Sequence, residues 1–405
     1  MYRSQSILPP GSGSPSNPKM LPVIFLTVFI DLIGFGIVIP VLPLYAERFG
    51  ASPLVIGLLL GIYSAMQLIF APLLGKLSDR IGRRPVLLLS VLGTALGFLL
   101  MGFARTLWLL FVARVIDGVT GGNISIALAY IADVTSPEDR SKKMGLIGAA
   151  FGLGFIVGPA LGGLFSHISA GAPFFFAAAL AACNGLGIYF FLPESLSAHH
   201  RQQAKGQISV FSLFREANAR ALGIVIATYF LTTVAFSLVT ATYPLFTERR
   251  FGFGAAQNGY LFACQGAIGA IVQGGLLGWL MKVWSDRMLA TVGVALLMAS
   301  LFVLPMGGTI LFLFVATAGM AIGHGLVAST LNGLASKAVN PASQGRVMVL
   351  MQSASSFARI VGPVMGGWLL NVDALRQAGP FGRTPYWAGG LVLLAALALS
   401  AMIDG

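Results

Sequence analysis

Twelve apolar runs of about 20 residues each, near 21–46, 54–75, 86–104, 107–131, 143–166, 173–192, 221–246, 256–281, 288–306, 309–333, 346–370 and 384–403, leave this chain few folds to choose from. A run of that length, wound as a helix, spans the hydrocarbon core of a bilayer. With 57% hydrophobic and only 9% charged residues, a soluble domain of this composition could not cover itself with polar surface. The sequence therefore predicts an all-α, multi-pass membrane protein of twelve transmembrane helices.

The net charge of +12 would suggest nucleic acid in a soluble chain, but here its placement is what carries information. If the N-terminus lies inside, seventeen of the 25 basic residues fall on the tail and the even-numbered loops and six on the other side, while Arg114 and Arg359 lie within spans. That bias predicts cytoplasmic termini at both ends, a place in the cell (inner) membrane and no nucleic-acid partner. Residues 1–19, rich in Ser, Pro and Gly, read as a disordered cytoplasmic tail, and the first span as the insertion signal. Cys183 and Cys264 both fall in apolar runs, so no disulfide framework is expected. The polar interval 193–220 reads as a cytoplasmic linker between bundles at 20–192 and 221–405; its His199-His200-Arg201 lacks the Cys or carboxylate company of a metal site. No metal or cofactor is expected.

The two halves repeat. Pro43-Leu44-Tyr45-Ala46-Glu47-Arg48-Phe49-Gly50 returns as Pro244-Leu245-Phe246-Thr247-Glu248-Arg249-Arg250-Phe251-Gly252, Gly158-Pro159-Ala160-Leu161-Gly162-Gly163 as Gly362-Pro363-Val364-Met365-Gly366-Gly367, and Gly75 as Gly278, at offsets of 201, 204 and 203. Three matches at nearly one spacing indicate a duplicated six-helix unit, and an even helix count keeps both copies in one orientation. Two parallel bundles related by a pseudo-two-fold axis follow.

Gly75-Lys76-Leu77-Ser78-Asp79-Arg80-Ile81-Gly82-Arg83-Arg84 packs five charges between two spans, and charge that dense cannot sit in hydrocarbon, so a tight aqueous turn is expected there. This stretch resembles the signature between helices 2 and 3 of the major facilitator superfamily. Arg114-Val115-Ile116-Asp117-Gly118 resembles that superfamily's helix 4 motif, and Gly154-Phe155-Ile156-Val157-Gly158-Pro159-Ala160-Leu161-Gly162-Gly163 the helix 5 motif of its antiporters. With Asp31-Leu32-Ile33-Gly34-Phe35-Gly36 and Ile131-Ala132-Asp133, the set is similar to the drug:proton antiporter branch that includes the tetracycline exporters. The resemblance implies a cytoplasmic gate at Gly75, Asp79, Arg80, Gly82, Arg83, Arg84 and Asp133. It covers residues 21 to 403 and is strongest in the first half. Tetracycline exporters carry an acid in helix 3, a His in helix 8 and an acid in helix 9, where this chain has Gly97, Gly269 and an apolar run, so tetracycline–metal exchange is not implied.

Ionisable groups inside the spans are few, and each should face a partner or a wet cavity because an unpaired charge there is costly. Asp31 reads as a proton carrier or as one end of a permanent ion pair. Arg114 and Asp117, three apart on one helical face, either neutralise each other or work in coupling. Arg359 reads as a charge partner for Asp31 or Asp117, or as a structural pair; His324, between two glycines, as a satisfied core residue or a second proton relay. Tyr63, Gln67, Asn123, Phe236, Gln265, Asn332 and Gln352 suit a cavity for an amphiphilic molecule. Gly154, Gly158, Pro159, Gly162 and Gly163 read as a hinge or seal, since glycine lets helices approach and proline lets them bend.

These residues imply no enzyme but a secondary transporter that works alone as a monomer in lipid, exporting a hydrophobic or amphiphilic molecule in exchange for protons. A lipid or sugar carrier of the same fold and a non-transporting membrane receptor are the alternatives. No Walker-type phosphate loop is present to power an ATP-driven pump.

Overall fold

The computed structural model describes residues 20–135, 137–196, 219–340, 343–376 and 381–403. The expected tail and most of the expected linker, including His199 and His200, lie outside the described residues.

The first half comprises α1 (Met20–Glu47), α2 (Pro53–Ile81), α3 (Arg83–Gly102), α4 (Leu107–Thr120), α5 (Asn123–Val134), α6 (Pro137–Ser166) and α7 (Ala172–Phe191). The second comprises α8 (Ala219–Phe251), α9 (Ala255–Ile271), a π-helical turn at Val272–Leu276, α10 (Leu277–Leu280), α11 (Asp286–Val303), α12 (Ile310–Lys337), α13 (Gln344–Arg376) and α14 (Arg383–Ser400). The pieces α4 and α5 together make one crossing, as do α9 and α10. Among the described residues eleven crossings are long and apolar enough to span a membrane; α14, with Arg383 in its first turn, packs between α8 and α11 where a twelfth is expected. Helix starts follow local chemistry: Ser52, Thr106, Ser285 and Thr309 each accept a hydrogen bond from the backbone N–H three residues on. Gly50 and Gly252, equivalent in the repeat, end α1 and α8 at φ of 76° and 69°, a region that only glycine enters freely.

The duplication is structural. In the first bundle α1 packs on α6 and α3 on α7; in the second α8 packs on α13 and α11 on α14. The bundles meet along two seams, α2 with α13 and α6 with α9, which the pseudo-two-fold exchanges. Separate apolar clusters fill the second bundle and the two ends of the first.

Two sequence expectations change. The tight turn expected over Gly75–Arg84 is shorter than that stretch: α2 continues through Ile81, α3 begins at Arg83, and the turn shrinks to Gly82 at φ of 116°. The helix extends because its charges are past the apolar run and find partners there. The fourth and eighth runs, expected as single helices, break at Gly121-Gly122 and relax into the π turn around Gly274-Gly275, where glycine lowers the cost of leaving α geometry.

Below, the basic face is the one carrying the α2–α3 turn, and the opposite face carries the α1–α2 and α8–α9 turns.

Candidate functional site

The Gly-Pro-Gly-Gly elements divide their work in the same way in both halves. Gly158 and Gly162 press on α1: a Cβ on Gly158 would stand 2.7 Å from the Ile33 carbonyl oxygen, and one on Gly162 3.2 Å from the Ile37 Cα. Gly154 is equally tight against Leu32. The last glycine crosses the seam instead: a Cβ on Gly163 would lie 2.8 Å from the Ala256 carbonyl oxygen, and one on Gly259 2.7 Å from the Gly163 Cα. In the second half Gly362 and Gly366 press on α8 around Val234 and Leu238, while Gly367 crosses to Pro53 and Gly57, with a Cβ on Gly367 3.2 Å from the Gly57 Cα. These contacts lie toward the opposite face, which is sealed. There the seal is joined by the ion pair of Glu47 with Arg249 at 2.8 Å, between equivalent ends of α1 and α8. Beside it opens a vestibule of about 660 Å³ lined by Arg48, His167, Glu248 and Gln257 among others.

Toward the basic face the seams come apart. Around Gly75, Gly148, Gly274, Gly275, Gly278 and Gly345 no atom of another helix among the described residues lies within 4 Å of where a Cβ would be, and Ile69, Leu73, Ile271 and Val349 are exposed. The cleft between the bundles is closed on one face and open on the other.

At the open face Asp79, Arg83 and Asp133 of the expected gate come together, within the first bundle. Arg83 pairs with Asp79 at 2.6 Å and with Asp133 at 3.0 Å, and it donates to the Ser78 hydroxyl at 2.6 Å. Arg84 lies against Tyr189 and donates to its carbonyl. Arg80 closes the last turn of α2. A residue that the sequence reading passed over anchors the group. Glu194 accepts from the backbone N–H of Arg83 at 2.8 Å and of Arg84 at 3.1 Å, so its carboxylate caps the N-terminus of α3. Glu194 stood in a stretch read as linker; its signal was a carboxylate directly after a span, beside Pro193, whose carbonyl accepts from Tyr130. Glu194→Ala should destabilise the fold by about 1–2 kcal/mol, the usual size of a lost cap. A lower melting midpoint in detergent for Glu194→Ala than for Glu194→Gln checks this, and equal midpoints would refute it.

Midway through the membrane, Arg114 and Asp117 are both buried and paired at 3.0 Å, and the Arg114 guanidinium lies over the Tyr63 ring, 4.2 Å from its centroid. Asp31 accepts a 2.6 Å hydrogen bond from the amide of Asn123, the first residue of α5 after the Gly121-Gly122 break. Both line an enclosed space of about 10 Å³ with Thr94, Phe98 and Asn184, room for about one water. Tyr63 is the hub, since Asp31, Asp117, Arg114 and Arg359 are all within electrostatic reach of it. Arg359 forms no ion pair among the described residues; its bond is to Ser356, at 3.4 Å. The expected pairing of Arg359 with Asp31 or Asp117 is not made in this state. His324 stacks on Phe236 with centroids 3.7 Å apart, its Nδ1 buried and unpartnered, and its neighbour Gly325 packs on Val272 of the π turn.

The expected cavity residues separate. Tyr63 and Gln67 lie together on α2, with Gln67 donating to the Tyr63 hydroxyl and the Gly121 carbonyl. Asn123 turns into the first bundle toward Asp31 instead. Gln265 is buried in α9, Asn332 donates to its own helix at Ala328, and Gln352 is exposed. Phe35, with Tyr63 and Phe155 around it at 6.1 and 5.8 Å, supplies an aromatic group that the sequence reading did not select. Gly97 has no room for an acid, because a Cβ there would sit 2.9 Å from that of Asp117. At Gly269 a Cβ would meet only Gln273 among the described residues, at 3.9 Å.

Comparison with known proteins agrees with these motifs. The sequence pattern of the Major Facilitator Superfamily matches residues 24–363. The tetracycline resistance protein, class H, of Pasteurella multocida is 32% identical, over 95% of this chain and 96% of that protein. Among solved structures, the human organic anion transporter MFSD10 (TETRAN) matches with a TM-score of 0.70 and 26% identity, over 96% of this chain and all of that one. A bacterial homologue of the human lysosomal transporter Spinster, in an inward-facing and occupied conformation, matches with a TM-score of 0.80 and 16% identity, over 97% of both chains. Matched by that family pattern over most of its length and by transporters along nearly all of it, the chain is no enzyme and belongs to the major facilitator superfamily, beside the tetracycline resistance proteins.

Proposed function

We propose that this protein is a proton-coupled antiporter that exports hydrophobic or amphiphilic small molecules from the cytoplasm by alternating access, with its basic face and both termini cytoplasmic. The observation that carries this reading is the charge group around Tyr63, set at mid-membrane in a cleft sealed on one face and open on the other. A transporter needs a titratable group that can meet both aqueous phases in turn. Asp31 suits the role better than Asp117: its partner is a neutral amide, whereas Asp117 is held by Arg114. The Asn123 amide donates to an ionised Asp31 and, after a flip, can accept from a protonated one, so it serves both charge states. The carrier works as a monomer in lipid. His324, stacked on Phe236 beside the π turn, is a second proton relay.

Asp79 and its neighbours form the cytoplasmic gate. In this state Asp79 bonds within its own bundle, to Arg83. When the carrier faces outward, Asp79 meets the N-terminus of α13 and holds the bundles together, a carboxylate near helix N–H groups being favoured by about 0.3–1 kcal/mol.

Recognition of substrate by apolar contact follows from Phe35, Tyr63 and Phe155 and from the crowding at Gly97. Expression in a host lacking its own pumps should raise tolerance to lipophilic dyes or phenicol-like compounds more than to tetracycline. Magnesium-dependent tetracycline resistance as the sole phenotype would exclude this specificity, and loss of proton-driven extrusion altogether would leave the membrane receptor as the better reading.

A further inference from the structure

Among the described residues Arg359 pairs with no carboxylate, though it stands in the middle of a membrane helix, seventeen residues before the end of α13. Its surroundings are hydroxyl groups and rings rather than carboxylates. Ser356 is its hydrogen-bond partner, Tyr63 and Tyr229 are the ionisable side chains within electrostatic reach, and neither Asp31 nor Asp117 is among them. The other cation at this depth, Arg114, is already neutralised by Asp117. Its neighbour Ile360 and, one turn on, Pro363 face Gly61 and Gly57 of α2 across the seam, so the residue stands where the two bundles converge at the floor of the cleft.

A guanidinium left without a counter-ion in low dielectric needs a wet cleft or a ligand that supplies the missing charge. Planar carboxylates and sulfonates match its fork of donors, and the hydroxyls of Ser356, Tyr63 and Tyr229 can complete the shell of such a head group. Phe35, with Tyr63 on one side and Phe155 on the other, offers an apolar wall for the rest of the molecule. We infer that Arg359 is the anion-recognition residue of this carrier and that its preferred cargo is an acidic amphiphile, an aromatic or aliphatic body bearing one carboxylate or sulfonate. This rests on the export reading above and narrows it. A molecule with a fixed positive charge would meet an uncompensated Arg359 and be disfavoured.

Three probes of similar aromatic size separate the possibilities in inverted vesicles with an imposed proton gradient: anilinonaphthalene sulfonate, its neutral parent phenylnaphthylamine, and the cation ethidium. The wild type should accumulate the sulfonate best. Arg359→Gln should lower sulfonate transport about tenfold or more, the effect of one lost charge-assisted hydrogen bond, while leaving phenylnaphthylamine within about twofold. Arg359→Lys should recover much of the sulfonate transport, because it restores charge without the fork. A measurement that needs no variant runs beside it: naphthalene sulfonate should inhibit phenylnaphthylamine transport by the wild type and naphthalene sulfonamide should not. Equal inhibition by the two, an unchanged sulfonate rate in Arg359→Gln, or a preference for ethidium would overturn the inference while leaving export intact. If the wild type moves none of the three, the export reading falls and this inference with it.

Discussion

Asp31→Asn should abolish proton-driven accumulation in inverted vesicles while substrate counterflow survives. The substitution is nearly isosteric, and the new carboxamide oxygen can still accept the hydrogen bond that Asn123 makes at 2.6 Å, so the fold should persist. Only the capacity to take up and release a proton is removed. The size of the effect follows from the driving force: one charge moved across 100 mV is worth about 2.3 kcal/mol, enough for roughly fifty-fold accumulation of a neutral substrate. A single titrating site therefore accounts for useful efflux, and its loss should return the ratio to about one. Asp117→Asn makes the contrast. It strips the counter-ion from a buried Arg114, and breaking a buried pair in this way costs about 3–5 kcal/mol, so that variant should lose folded protein as well as transport. Accumulation by Asp31→Asn with wild-type pH dependence would move the proton to Asp117.

How far the sequence could be read depended on the range of the physics. Hydropathy and charge placement act along the chain, so the crossings came out within a few residues and the repeat offsets located the glycine elements in both halves. Partners set by three-dimensional approach did not. Gly57 and Gly259 looked like ordinary span glycines, although their own offset of 202 matches the repeat; their importance comes from Gly367 and Gly163, which touch them across the seams. Glu194 is more than a hundred residues from the N–H groups it caps. Asn123 was read as cavity lining because it is polar and within a run; the break at Gly121-Gly122 turns it toward Asp31 instead. The charge cluster read as a turn is for most of its length helix end, since Asp79, Asp133 and Glu194 supply in space the partners that a linear reading must look for in water.

Leucine in place of Gly163 or Gly367 should trap the carrier open to the opposite face and reduce transport at least tenfold. At both positions the neighbouring atoms are backbone, which cannot step aside as a flexible side chain can, so the added side chain must push α6 from α9 or α2 from α13. Overpacking of this kind costs about 1–3 kcal/mol in the sealed state and nothing in the state where the seam is parted. Two states of similar energy would thereby shift by about five- to 150-fold in population. The Glu47–Arg249 pair is too exposed to oppose this, being worth about 1 kcal/mol at most. With Cys183 and Cys264 replaced by Ser, a cysteine at Leu44 in the vestibule wall should react several-fold faster with an impermeant maleimide applied from the opposite face. Asp79→Asn, by weakening the gate on the other side, should slow that same reaction and expose cleft cysteines to the basic face. Labelling at position 44 that neither substitution changes would mean that the glycine seams are fixed packing within one rigid body, and that the cleft opens by some other movement.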